Sequence, residues 1–195
     1  MRVQYEFLGK PFDFNKEKEL RDLEARLNSR VLTVNQIHSN IVVHAKDVNN
    51  DTKADGIFIP RGERLAAGVK TADCVPILLI GKEGVAAIHA GWRGLKSGIV
   101  ENGLKFFSSL PKALIGPCAG VEFYEVGEEV IDGFDCVYQE KDSKLFLDLR
   151  KTAAKFFLDF EVSSECTISN TNFHSHRRDK EKRGCNFSWI MISDS

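Results

Sequence analysis

Two apolar runs stand out along an otherwise mixed chain. Val75-Pro76-Ile77-Leu78-Leu79-Ile80 is closed by Gly81, and Gly84-Val85-Ala86-Ala87-Ile88 runs into His89-Ala90-Gly91. Short, nearly charge-free runs bounded by glycine predict strands buried on both faces. The segment Gly81-Lys82-Glu83-Gly84 predicts a turn that pairs them as a hairpin. Such a hairpin sets the start of the first strand beside the end of the second. Cys74 and His89 are therefore expected to meet at one edge of the sheet.

Around that hairpin the pattern alternates irregularly. Arg2 to Leu8 predicts an edge strand, with Val3, Tyr5 and Phe7 on one side. Lys16 to Asn28 predicts a helix with Leu20, Leu23 and Leu27 along one stripe. Val31 to Ile37 and Ile41 to Ala45 predict strands interrupted by His38-Ser39-Asn40, and Asp55 to Pro60 predicts another. Gly94 to Leu110 predicts a helix despite Gly98 and Gly103, each costing about 1 kcal/mol relative to alanine. Lys112 to Cys118, Leu145 to Leu149, Cys166 to Ser169 and Phe187 to Ile192 predict further strands. Helices are expected over Val126 to Phe134 and Arg150 to Phe160, and a charged loop over His174 to Arg183. No repeat or break in composition divides residues 1–195. One α/β (α+β) domain, a mixed-sheet sandwich with flanking helices, is the expected fold.

Composition narrows the function classes. At 43% hydrophobic and 28% charged, the 195 residues have the make-up of a globular protein. A net charge of −1 gives no field for nucleic acid or an anionic membrane. No apolar run approaches the roughly 18 residues of a spanning helix, and no leader pattern opens the chain. A cytoplasmic location is expected. The five scattered cysteines fit a reducing compartment rather than a disulfide framework.

Candidate chemistry gathers at strand ends, where scaffolds place functional groups. Taken singly, His38 and His89 each fit a strand cap bonded to backbone. Cys74 beside them makes a thiol and two imidazoles, a set suited to zinc with one position left for water or substrate. The same atoms fit a Cys–His dyad for acyl transfer, and Cys74 alone fits a small buried hydrophobe. Asp73, a carboxylate beside an apolar run, needs a partner or a wet cleft. Arg93, between Gly91 and Gly94, and the Arg177-Arg178 pair fit anion binding or solvated salt bridges. Cys118 follows Gly116-Pro117 at a strand end as a candidate pocket thiol.

Taken together, the ordered motifs resemble a known family. Gln36-Ile37-His38-Ser39, Ala54-Asp55-Gly56, Thr71-Ala72-Asp73-Cys74-Val75-Pro76 and His89-Ala90-Gly91-Trp92-Arg93-Gly94 come first. Ile115-Gly116-Pro117-Cys118, Tyr124-Glu125-Val126-Gly127, Leu147-Asp148-Leu149, Cys166-Thr167 and Ser175-His176-Arg177-Arg178-Asp179 follow. This is similar to the YfiH/YlmD-type family, also labelled polyphenol oxidase, laccase-domain protein or peptidoglycan editing factor. The resemblance implies a mixed α/β sandwich and a zinc site, with copper the alternative ion, on His38, Cys74 and His89. It implies phosphorolysis of adenosine, inosine and methylthioadenosine to base and sugar-1-phosphate, with deamination of adenosine. Small-molecule partners, a purine nucleoside and phosphate, are expected, and neither nucleic acid nor a membrane; oligomeric state stays open. Catalytic roles are expected at Asp73, Cys74, His89 and Arg93, and substrate contacts at Gln36, Arg93, Cys118, Arg177 and Arg178. A Cys–His hydrolase or amidase acting on cell-wall precursors is the competing reaction class. Three departures are visible: an N-terminus shorter than usual without the Gly-Gly-Val-Ser and Asn-Leu motifs, Cys185 where Gly-Arg is usual, and Ser169 in place of a second cysteine.

Overall fold

The structure, a computed structural model, describes residues 2–182 and 184–193. The first elements are β1 (Arg2–Leu8), α1 (Glu17–Leu27), β2 (Arg30–Leu32), β3 (Val42–His44), β4 (Gly56–Pro60) and β5 (Leu65–Thr71). The centre holds β6 (Val75–Ile80), β7 (Gly84–Ala90), α2 (Trp92–Lys96), α3 (Ile99–Leu104) and β8 (Lys112–Ile115). There follow β9 (Glu125–Val126), α4 (Glu128–Ile131), β10 (Tyr138–Lys141), β11 (Lys144–Leu147), α5 (Leu149–Ala154), β12 (Phe160–Val162), α6 (His176–Asp179) and β13 (Asn186–Ser193).

The expected hairpin is the middle of a six-stranded mixed sheet ordered β12-β8-β6-β7-β4-β3. β6 and β7 pair antiparallel with Val75 opposite Ala90 and Pro76 opposite His89. A second mixed sheet, β1-β13-β5-β2, packs face to face on the first. Period-two alternation sorts the side chains into layers. Ile57, Ile59, Leu78, Val85 and Ala87 of one sheet meet Ala67, Val69, Ile190 and Ile192 of the other. The opposite face of the six-stranded sheet, with Ile77, Leu79, Ala86 and Ile88, is covered by Leu95, Ile99, Val100 and Ala153 from α2, α3 and α5. Leu23 of α1 covers the outer face of the four-stranded sheet with Phe187, Trp189 and Met191, and Leu20 and Leu27 complete its stripe. The result is a helix–sheet–sheet–helix sandwich, as expected, with the antiparallel sheet β10-β11-β9 beside it.

Several expected boundaries give way for local reasons. The helix expected over Gly94 to Leu110 is two short helices broken at Gly98, whose φ of 90° lies outside the right-handed region. The helix expected over Val126 to Phe134 is only α4, because Glu125–Val126 pair with β11 instead. Leu145 to Leu149 stops as a strand at Leu147, and Asp148 caps α5 by accepting from the Lys151 N–H at 2.9 Å. α5 in turn ends at Ala154, so Phe160 is free to begin β12 beside β8. Cys166 to Ser169 forms no strand; a single bridge ties Cys166 to Cys118. Val31 to Ile37 shortens to Arg30–Leu32, after which the chain crosses from one sheet to the other. Within the charged stretch after His174 the described residues form α6 and a 3-10 turn at Lys180–Lys182; Arg183 lies outside the described residues.

Candidate metal centre

One end of the sandwich collects β5 and β7 at their C-terminal ends and β4, β6 and β13 at their N-terminal ends. The chain passes between the sheets there through Ala72-Asp73-Cys74, which joins β5 to β6. Continuing the β6–β7 register one step sets Cys74 opposite Gly91. Gly91 has to be small: a Cβ there would stand 2.9 Å from Cys74 Sγ and 3.2 Å from His38 Cδ2. His38 arrives from the crossing segment after β2, with a left-handed φ of 57°. Its ring meets that of His89 edge to face, 4.9 Å between centroids. One ligand atom each from His38, Cys74 and His89 lie within 4.8 Å of one another, the one group of this kind among the described residues. A tetrahedral ion with bonds of about 2.0–2.3 Å asks for ligand separations of roughly 3.3–3.7 Å, so small rotations bring the set onto an ion. The residues fit.

The group that holds this set in place is Asp55. It is fully buried ahead of β4 and collects five hydrogen bonds. Its carboxylate accepts from the peptide N–H groups of Ile37, His38 and Ser39 at 3.2, 3.0 and 2.6 Å and from the Ser39 hydroxyl at 2.7 Å. Its Oδ1 lies 2.8 Å from His89 Nδ1. The carboxylate can only accept, so Nδ1 carries the proton and Nε2 is left free for an ion. Burial raises the Asp55 pKa, but the His89 and Ser39 hydrogen bonds outweigh it and hold the group at about 2. Burial likewise pushes the Cys74 thiol up, yet the charge of His89 and hydrogen bonds from both histidines bring it down to about 6. His89 is displaced the other way: burial lowers it, and the facing Cys74 and Asp55 raise it above the ordinary histidine value. Cys74 is thus poised as a thiolate, the form that binds metal or attacks carbon.

A cleft of about 480 Å³ opens over the three ligands. Gln36, Lys70, Asp73, Trp92, Arg93, Tyr124, His176 and Arg177 are among the residues lining it, with Asn15 and Cys185 on the α1 side. Arg93 lies over the Trp92 ring at 4.3 Å and Arg177 over Tyr124 at 5.0 Å, cation–π contacts that hold both guanidinium groups. Lys70 Nζ sits 5.2 Å from the Phe14 ring centroid. None of these three cations has a carboxylate within 4 Å among the described residues.

The expected substrate residues divide. Arg93 and Arg177 face the cleft. Gln36 lines it, but its amide is spent on the backbone of Lys70, donating to the carbonyl and accepting from the N–H, both at 2.8 Å. Cys118 is fully buried and absent from the cleft wall, with its thiol pushed up to about 12 by burial. Arg178 points into the protein, donating to the carbonyls of Thr167, Ile168, Asn170 and Phe173 and pairing with Asp179. The structure places Cys118 and Arg178 in the framework around the cleft, not on its wall. Asp73 lines the cleft, though both its oxygens already accept: Oδ1 from the Thr167 hydroxyl and Oδ2 from the Arg177 N–H, each at 2.7 Å. The sequence pattern alone assigns no role to Asp55, Lys70 or Tyr124. For Asp55 the signal was present, because a carboxylate ahead of the apolar strand Gly56–Pro60 needs partners as much as Asp73 does.

The chain matches the sequence model of the family described as multi-copper polyphenol oxidoreductase laccase over residues 13–193. It is 35% identical over 201 aligned positions to a purine nucleoside phosphorylase of Aquifex aeolicus, spanning 92% of this chain and 98% of that protein. A Neisseria meningitidis protein of known structure superposes with a TM-score of 0.82 at 28% identity, over 91% of this chain and 81% of that one. The YfiH protein of Bacillus licheniformis shares the fold, with a TM-score of 0.86 at 23% identity over 98% of this chain and 93% of that one. From its length of match and its fold, the chain belongs to the multi-copper polyphenol oxidoreductase laccase family, which takes in the YfiH and YlmD proteins.

Proposed function

We propose that this chain is a metal-dependent purine nucleoside phosphorylase, converting adenosine, inosine and methylthioadenosine with phosphate to base and sugar-1-phosphate, and deaminating adenosine as a second reaction. The observation that carries the proposal is one cleft holding both the His38/Cys74/His89 set and three cations that have no carboxylate partner among the described residues. The purine nucleoside phosphorylase of Aquifex aeolicus, 35% identical, supports it. A thiolate and two imidazoles suit zinc, with copper the alternative. When bound, the ion supplies Lewis-acid activation at its open coordination position.

The protein's own groups have four tasks. Asp55 fixes the His89 tautomer and, through three successive peptide N–H groups, the backbone that presents His38. Arg93 and Arg177, held on aromatic faces, and Lys70 bind phosphate through charge-assisted hydrogen bonds. A phosphate oxygen forms the bond to the anomeric carbon as the carbon–nitrogen bond breaks and the purine leaves with the electron pair. Tyr124, its phenol kept protonated by burial and by the Cys74 charge, offers the departing base a hydrogen bond. Asp73, whose two oxygens each already accept a hydrogen bond, is given no part in that step. Phosphate-dependent release of hypoxanthine from inosine tests the proposal, with the wild type active and Cys74→Ala at least 100-fold slower; release that is independent of phosphate contradicts it.

A second reaction class has its own support. Cys74, His89 and Asp55 line up as thiolate, imidazole and buried carboxylate, the order of a nucleophile, its base and the group that orients the base. A metal-free protein that hydrolyses amides of cell-wall precursors is what this arrangement predicts. The polyphenol oxidase label is less well served: multi-copper chemistry needs several ligand clusters, and the described residues supply one.

A further inference from the structure

We propose that Asp73 is a positioning residue that sets the phosphate-binding guanidinium of Arg177 against the metal centre, and takes no part in proton transfer. The inference rests on the phosphorolysis proposal for its ligand and on four features of Asp73 for its substance. The residue is buried, with 6% of its surface exposed, on the connection that carries the chain from one sheet to the other. It is not glycine, yet its φ is 92°, a backbone state that persists only where the surroundings impose it. Its two carboxylate oxygens and its peptide carbonyl bind three separate segments. Oδ1 accepts from Thr167, Oδ2 from the Arg177 N–H, and the carbonyl from the Ala119 N–H at 2.9 Å. No Lys or Arg forms an ion pair with it among the described residues, so its partners are neutral donors that fix direction rather than charge.

Two of those segments run on into the cleft wall, at Tyr124 and at His176-Arg177. The Ala119 loop leads to Tyr124, on whose ring Arg177 lies, and Arg177 donates a second bond to the Glu125 carbonyl at 2.9 Å. Asp73 is covalently next to Cys74. One carboxylate therefore holds the Arg177 backbone at a set distance from the ligand thiol. Two physical effects then predict opposite signs for Asp73→Asn. Removing a negative charge beside an anion site strengthens phosphate binding by Coulomb attraction. Replacing an acceptor by an amide that cannot satisfy both donors lets Arg177 drift and weakens it.

The experiment is calorimetric titration of inorganic phosphate into zinc-loaded full-length protein, for wild type, Asp73→Asn, Arg177→Ala and the double variant. Zinc content and thermal midpoint are measured alongside. The expected result is phosphate affinity lowered about tenfold in Asp73→Asn, the order for a misplaced charged contact, with stoichiometric zinc retained. Adding Asp73→Asn to Arg177→Ala then changes nothing further, because the group being positioned is gone. In turnover, KM for phosphate rises while kcat stays within about threefold. Thr167→Val, which leaves the carboxylate in place and removes one of its donors, shifts phosphate affinity in the same direction by less, and covers the case in which Asp73→Asn fails to fold. Tighter phosphate binding, additive effects in the double variant, or a collapse of kcat with KM unchanged overturns the positioning role. Absence of phosphate binding in the wild type overturns instead the phosphorylase proposal on which this one stands.

Discussion

Asp55 and His89, 34 residues apart, share a 2.8 Å hydrogen bond inside the protein, and the same carboxylate gathers three consecutive peptide N–H groups from the segment carrying His38. Two of the three candidate ligands are thus aimed by one residue. Asp55→Asn keeps the shape and removes an acceptor. Zinc affinity, measured by competition with a chromophoric chelator, is expected to fall about 10- to 100-fold. Wild-type affinity in that variant would show that the bond does not orient the ligand.

The same carboxylate predicts a pH dependence of stability in metal-free protein. Its folded pKa of about 2 lies below the ordinary value of 3.8, so its contribution is fully present above about pH 4 and lost as pH falls through 2. A shift of that size corresponds to about 2 kcal/mol. In urea denaturation, the stability gap between wild type and Asp55→Asn should be widest above pH 4 and close toward pH 2. A gap that stays constant down to pH 2 would contradict the linkage.

Thiol reactivity should separate the cysteines sharply. With Cys74 near 6 and Cys118 pushed to about 12, iodoacetamide at neutral pH is expected to label Cys74 in metal-stripped protein and to leave the buried Cys118 untouched. Zinc should protect Cys74. Peptide mapping after brief alkylation reads both outcomes, and equal labelling of the two thiols with or without zinc would refute the assignment.

Gly91→Ala tests the crowding around the ligands. The backbone there, φ −74° and ψ 167°, suits alanine, so any effect comes from the added methyl meeting Cys74 Sγ at 2.9 Å. Overpacking of this kind costs about 1–3 kcal/mol. Both the thermal midpoint and zinc affinity should drop, the second because the thiol itself must move. A variant with lowered stability but unchanged zinc affinity would place the ligand atoms farther from Gly91.

The hairpin and its consequence were readable because the pattern is local. Val75 to Ile80 and Gly84 to Ile88 are apolar throughout, and a short turn between them leaves one register to choose. β5 is hidden in the sequence for the opposite reason. Gly68 has no room for a side chain, since the ring of Phe187 from the neighbouring β13 lies on it and a Cβ there would stand 2.1 Å from that ring. In the sequence Gly98 counts only as a propensity cost; in the fold its left-handed backbone ends α2 and starts α3. At the site, the three ligands could be singled out by residue type at strand ends. Asp55 could not be given its role, since the five donors that define it come from Ile37, His38, Ser39 and His89 and meet only in the folded chain. Arg177 and Arg178 look alike in sequence; a single step along α6, roughly 100° of rotation, sends the first to the cleft and the second into a cage of carbonyls.

The most direct test is metal content by mass spectrometry on protein purified without added metal, wild type beside Cys74→Ala. One zinc per chain in the wild type, lost in the variant, is the predicted result and supports the site of His38, Cys74 and His89. A metal-free wild type whose Cys74 is open to alkylation contradicts the metal centre and hands the same three residues, with Asp55, to acyl-transfer chemistry.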